Sequence, residues 1–174
     1  VRLPGVRRTP RLSDEATAAL DLARGERVIA FAVDDNTGAS VVATTWHLAA
    51  VSSAHTLLLR RPWHEVGAGQ WSADTWTLSV TWTDRTQATQ WTFAQQDLRL
   101  MQAFRERVEA TVVVTEPLGL TGARRSGRVV LRKDLATQEL FVQTVLGRGT
   151  PADDPDVQAA AQRVGARLKE QVGL

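Results

Sequence analysis

Residues 76–83 read Trp76-Thr77-Leu78-Ser79-Val80-Thr81-Trp82-Thr83. Apolar side chains hold every even position and hydroxyls every odd one. Side chains alternate across a strand, so this stretch predicts one face in a core and the other in water. Trp76 and Trp82 are therefore expected in the core beside Leu78 and Val80. Downstream, Asp84–Thr89 is a polar connection, and Gln90-Trp91-Thr92-Phe93 repeats the alternation as the second arm of a hairpin. Upstream, Arg27–Val33, Ser40–Thr45, Trp46–Val51 and His55–Arg60 read as further strands. Asp34-Asp35-Asn36-Thr37-Gly38 is dense in turn formers and closes the first hairpin. Pro62 forces Arg61 into an extended conformation. Gly67-Ala68-Gly69 is expected as a turn before a short strand at Gln70–Ser72.

Helical periodicity brackets this β-rich region. Ser13 is an N-cap candidate followed by Asp14 and Glu15, where a helix dipole favours anions, and Gly25 is a candidate left-handed stop. Leu100, Met101, Phe104 and Val108 form one apolar stripe. Arg128–Lys133 and Glu139–Leu146 predict a second hairpin. Asp154 as N-cap with Pro155 at the first helical position starts a terminal helix, its stripe running Val157, Ala161, Val164, Leu168, Val172. No internal repeat is read. The expected organisation is a basic tail over residues 1–12, a short helix, β-roll and helix over 13–116, and a hairpin with C-terminal helix over 117–174, packed on the first unit. The fold class is α+β: about seven antiparallel strands curled into a roll, a helix at its open end, then the hairpin and last helix.

The chain has 174 residues, 43% hydrophobic and 23% charged, within the globular range and long enough for a real core. It has no Cys, which removes disulfides, thiolate zinc sites and Cys nucleophiles together. The net charge is +2. The sequence pI of 9.9 reflects the lack of Cys and Tyr and the presence of only two lysines, Lys133 and Lys169, so little titrates between His and Arg. Near-neutral charge argues against a general nucleic-acid binder. The excess of Arg over Lys, with abundant Ala, suits a GC-rich genome. No secretory stretch is read at residues 1–10. The uncharged run Ala39–Leu59 holds two His and six Ser/Thr and breaks into strands, so no transmembrane segment is expected. The expectation is a soluble cytoplasmic protein.

Seven strands and then a helix resemble the pleckstrin-homology superfold. The segments VVATTWHLAAV and RPWHEVGAGQW resemble bacterial pleckstrin-homology-like domains at Ala43, Thr44, Leu48, Pro62, Trp63, Val66 and Trp71, over about residues 25–110. The family commonly has an Arg where this chain has Trp46 or His47. Asp34 and Asp35 make the first hairpin acidic, so phosphoinositide binding is not carried over. The resemblance implies a scaffold or oligomerising module.

Enzyme signatures are weak. His47, His55 and His64 lack metal-ligand spacing. Gly67-Ala68-Gly69 lacks the third glycine and following helix of a phosphate-cradling loop. Asp34-Asp35 and Asp153-Asp154 sit at a turn and a helix start. No metal or cofactor is expected, and the reading is a non-enzymatic binding or scaffold module, working through an edge strand or a groove beside the helix. Its expected partner is another protein or a second copy. Two alternatives stay open: an apolar ligand held among six tryptophans, and an Arg-mediated binder of nucleic acid or anionic lipid. The candidate binding residues are Trp63 and Trp71, at irregular positions, and Arg124, Arg125 and Arg128 in the densest basic stretch.

Overall fold

A computed structural model describes residues 10–94, 99–123 and 125–174. The basic tail therefore lies outside the described residues as far as residue 9. The chain is α+β, with ten strands in three antiparallel sheets and three α-helices among the described residues. Helix α1 (Asp14–Ala19) precedes four strands in sequential order, β1 (Val28–Val33), β2 (Ser40–Thr44), β3 (His47–Val51) and β4 (Leu57–Pro62). A short 3-10 turn at Trp63–Glu65 leads into a three-stranded sheet of β5 (Val66–Ser72), β6 (Thr77–Trp82) and β7 (Thr89–Thr92). Helix α2 (Arg99–Thr111) runs directly into β8 (Val112–Pro117). The third sheet has the order β10–β9–β8, with β9 at Gly127–Lys133 and β10 at Leu140–Leu146, and helix α3 (Pro155–Val172) follows.

The seven strands before α2 thus divide into sheets of four and three, neither closed on itself. The later hairpin gains a third strand, because the β-branched run after α2 pairs along β9 from Val112 to Pro117. One core lies between the first two sheets and α2, and includes Val41, Leu48, Trp63, Val66, Leu78, Val80, Trp82, Trp91, Phe93, Leu100 and Phe104. The outer face of β2 and β3 is buried as well: Val42, Ala49 and Val51 pack under Ala16 of α1 and Leu20 at its C-cap. A strand covered on both faces reads as a continuous apolar run, which is what Val41–Ala43 and Leu48–Val51 are. Val129 of the third sheet and Leu118, just after β8, are buried against Val157, Ala160, Val164 and Leu168 of α3.

Caps follow the sequence. The Ser13 hydroxyl accepts from the Ala16 N–H, and Asp154 accepts from the N–H groups of Asp156 and Val157 with Pro155 behind it. Helix α1 ends before Gly25, with Asp21 at φ +48 just after its last turn. The acidic turn at residues 34–38 joins two sheets. Asp34 Oδ1 accepts from the Thr92 N–H at 2.8 Å, and Asp35 Oδ2 from the Ala94 N–H at 2.6 Å.

Two local expectations are corrected. Trp76 is not a core residue: it lies just before β6 at φ +53 and is 37% exposed. The left-handed residue ends the β5–β6 turn and swings the indole outward, edge-on to Trp71 with ring centroids 6.3 Å apart. Gly67-Ala68-Gly69 is not a turn but the body of β5. Glycine serves there because a Cβ on Gly69 would lie 2.2 Å from the Phe104 ring, so only a bare backbone lets α2 sit this close to the sheet. Among the described residues, no helix is long and apolar enough to cross a membrane.

Candidate functional site

β5 is the outer strand of its sheet: β6 pairs one side and, among the described residues, no strand pairs the other. Edge strands expose unpaired N–H and C=O groups and are usually blunted by charge, proline or cover. Here the Val66 carbonyl is covered, accepting from Arg132 Nη2 at 3.1 Å. Beyond it, Ala68, Gly69 and Gln70 are exposed and uncharged. Small side chains at 67–69 leave the backbone open to close approach.

Helix α2 forms the opposite wall. Its stripe does two jobs: Leu100, Ala103 and Phe104 enter the core, while Met101 and Val108 stay partly open. Gly69, Trp71, Leu78, Met101, Phe104 and Val108 enclose a groove of about 380 Å³. Arg105 and Glu109 stand at its rim and pair with each other at 2.7 Å. The groove thus offers a hydrogen-bonding edge, an aromatic end and an apolar wall.

A larger cleft of about 960 Å³ opens where the second and third sheets meet. Gly67, Thr81 and Trp82 of the second sheet lie on one side, Thr144 and Val145 of β10 and the loop 147–149 on another, and the first turns of α3 on a third. Arg85, Arg128 and Arg148 line it. Beneath the junction, Arg132 is 2% exposed. Its guanidinium donates to Thr111 Oγ1 at 2.5 Å, Gln143 Oε1 at 3.2 Å and the Val66 carbonyl, all neutral acceptors. Burial, and then the nearby Arg128 charge, push its pKa down.

A third cluster is built around Glu26, whose side chain is sealed from solvent. Its carboxylate accepts from Thr44 Oγ1 at 2.5 Å, Arg60 Nη2 at 2.8 Å and the Ala23 N–H at 3.1 Å, and His47 Nδ1 lies 2.7 Å away. Burial alone would raise this carboxyl's pKa. The hydrogen bonds from Thr44, His47 and Ala23, with the His47 charge, outweigh burial and hold it below the ordinary value. These bonds tie the 20–27 segment to β2, β3 and β4, so the carboxylate has a complete structural role. Among the described residues, no three His, Asp or Glu side chains converge as metal ligands. His64 is half-buried against Phe141, its ring Nδ1 unbonded and 3.8 Å from Asp134 Oδ2. Burial lowers its pKa, against the pull of Asp134 and Glu65.

The candidate residues from the sequence scatter. Trp63 is fully buried, its indole N–H donating to the Thr44 carbonyl at 2.9 Å and its ring edge-on to Phe104. Trp71 lines the β5–α2 groove. Arg125 is held by Asp154 at 3.2 Å and Asp156 at 3.1 Å, at the start of α3. Arg128 lines the cleft, and Arg124 lies outside the described residues. Sequence reading did not single out Arg85 and Arg148, which flank no motif and meet Arg128 only through tertiary packing. Met101 and Val108 were visible as a helix stripe but not as the wall of a groove. Comparison with known proteins finds no matching family model, no matching curated protein and no matching solved structure.

Proposed function

We propose that this chain is a non-enzymatic binding module of pleckstrin-homology-like fold that accepts an extended segment of a partner protein as an added strand on β5, against α2. Sheets of four and three strands followed by a helix support the fold reading. One observation carries the functional reading: the unblunted, small-residue outer edge of β5 lies beside an apolar groove between that strand and α2. An added strand would lie about 4.8 Å from β5 and exchange backbone hydrogen bonds with alternate residues. Its alternate side chains would enter the space between Trp71, Met101 and Val108. The preferred ligand has apolar residues two apart and no proline between them. A cytoplasmic setting belongs to the same proposal.

The test is selection from a random peptide library, with affinity followed by Trp emission and NMR. Selected peptides should lose roughly tenfold or more in affinity to Met101→Glu or Val108→Glu, about 1.4 kcal/mol. Backbone N-methylation should abolish binding at alternate peptide positions and spare those between. Peptides that tolerate N-methylation everywhere, or bind both variants unchanged, overturn the reading. So does a library that yields no binder while small apolar molecules quench Trp emission, an outcome that favours an apolar-ligand site.

A further inference from the structure

The cleft between the second and third sheets is a separate feature, and its chemistry is one-sided. Three arginines line it, with Thr81, Thr83, Thr86, Thr144, Gln158 and Gln162, and no Asp or Glu side chain does. Elsewhere Arg60, Arg61, Arg105, Arg125 and Arg167 each meet a carboxylate within salt-bridge distance. Among the described residues, Arg85, Arg128 and Arg148 meet none; Arg85 Nη2 is anchored only by the Thr150 carbonyl at 3.4 Å. The carboxylate next in the chain to Arg85, Asp84, is instead bound to Arg61 at 2.5 Å and to the Thr86 hydroxyl at 2.7 Å.

The buried Arg132 is a second, independent observation. A cation removed from water is costly unless an anion accompanies it. Arg132 has only neutral partners, and Arg128, on the same strand, adds like charge. An anion beside Arg128, the one of the two that lines the cleft, would offset that charge and relieve its repulsion of Arg132.

We propose that this cleft binds a compact organic polyphosphate, a small molecule carrying two or more phosphoryl groups. Guanidinium forks match phosphoryl oxygens in pairs, and threonine hydroxyls and glutamine amides supply further donors. Three unanswered cations call for several negative charges on one ligand, more than a single carboxylate brings. The cleft is concave and walled on three sides, so it takes a small molecule in preference to a flat bilayer or a rod-like duplex. The site shares no side chain with the β5–α2 groove apart from the adjoining β5 backbone, and it stands whether or not the groove binds peptide.

The test is isothermal titration of the full chain with sodium tripolyphosphate, ATP and adenosine at about physiological ionic strength, where weak surface attraction is screened. Tripolyphosphate should bind saturably at one site. Binding of ATP but not adenosine identifies a nucleotide source, and tripolyphosphate alone a non-nucleotide one. Arg128→Gln and Arg148→Gln should each weaken binding about tenfold, the loss of one charge-assisted contact. Arg163→Gln, an exposed position outside the cleft, should leave it unchanged. All these arginines are exposed, so the variants should keep the wild-type circular dichroism. No saturable binding of either phosphate ligand overturns the proposal, as does equal weakening by Arg163→Gln. Tighter binding through the same arginines to anionic vesicles or duplex DNA overturns the assignment to a compact ligand.

Discussion

Replacing Glu26 by Gln keeps the shape of the side chain and removes its charge. The carboxylate has three protein donors and His47 Nδ1 around it, in a position without solvent. A hydrogen bond to an ionised group contributes about 1.5–3 kcal/mol, and one between neutral groups about 0.5–1.5. Neutralisation therefore removes about 1 kcal/mol from each of the two or three bonds that the Gln carbonyl can keep. The amide NH2 must also face donors on one side, which breaks at least one further bond. Arg60 and His47 retain 24% and 20% exposure, so water takes up part of what they lose. The expected destabilisation is about 3 kcal/mol, near the lower end for breaking a buried ion pair. For a chain of this size that is a fall in Tm of roughly 6–12 °C. The sign with pH follows from the lowered pKa of this carboxyl in the folded state. Its stabilisation is fully present above the unfolded value of about 4.3 and is lost as pH falls through the lower folded value. Urea melts of both proteins should differ most above about pH 6 and converge towards pH 3. A gap below about 1 kcal/mol at neutral pH, or one that stays constant down to pH 3, refutes the reasoning.

Gly69→Ala places a methyl group against the Phe104 ring and should cost about 1–3 kcal/mol by urea melt, with loss of the β5–α2 groove. An unchanged midpoint would mean that α2 lies farther from β5. Gln138 stands at φ +66, where Gly38 stands at +71 in the corresponding turn of the first hairpin. Gln138→Gly should raise stability by about 1 kcal/mol, seen as a higher Tm. Asp154→Ala removes the cap of α3 and the partner of Arg125, and should cost about 1–2 kcal/mol, measured by thermal melting.

Features written locally were legible. The β6 alternation, the caps at Ser13 and Asp154 and both Asp-led hairpin turns depend on a few neighbouring residues. The turn at residues 34–38 and the turn at 134–138 between β9 and β10 also share one pattern: Asp34 and Asp134 each accept from the Thr three residues on, and Gly38 and Gln138 each bond back to the Asp carbonyl. Features set by a distant partner were not legible. Gly67-Ala68-Gly69 has turn composition, and only the Phe104 ring explains why it is strand. Trp76 fits the alternation of β6, yet the turn geometry takes it out of the sheet. Arg132 reads as one more charge on a basic hairpin until Thr111, Gln143 and Val66 enclose it. The groove and the cleft are both made by elements far apart in the chain, so no spacing along the sequence announces them.

Helix α2 passes into β8 without an intervening loop, and the joint at Thr111 is wholly buried. The Thr111 hydroxyl donates to the Val108 carbonyl and accepts from Arg132 on the neighbouring strand. One buried hydroxyl therefore ties the last turn of the helix to the strand that neighbours β8. Without that hydroxyl, the Arg132 guanidinium would lose an acceptor and the turn that hands the chain from helix to sheet would lose its cross-strand tie.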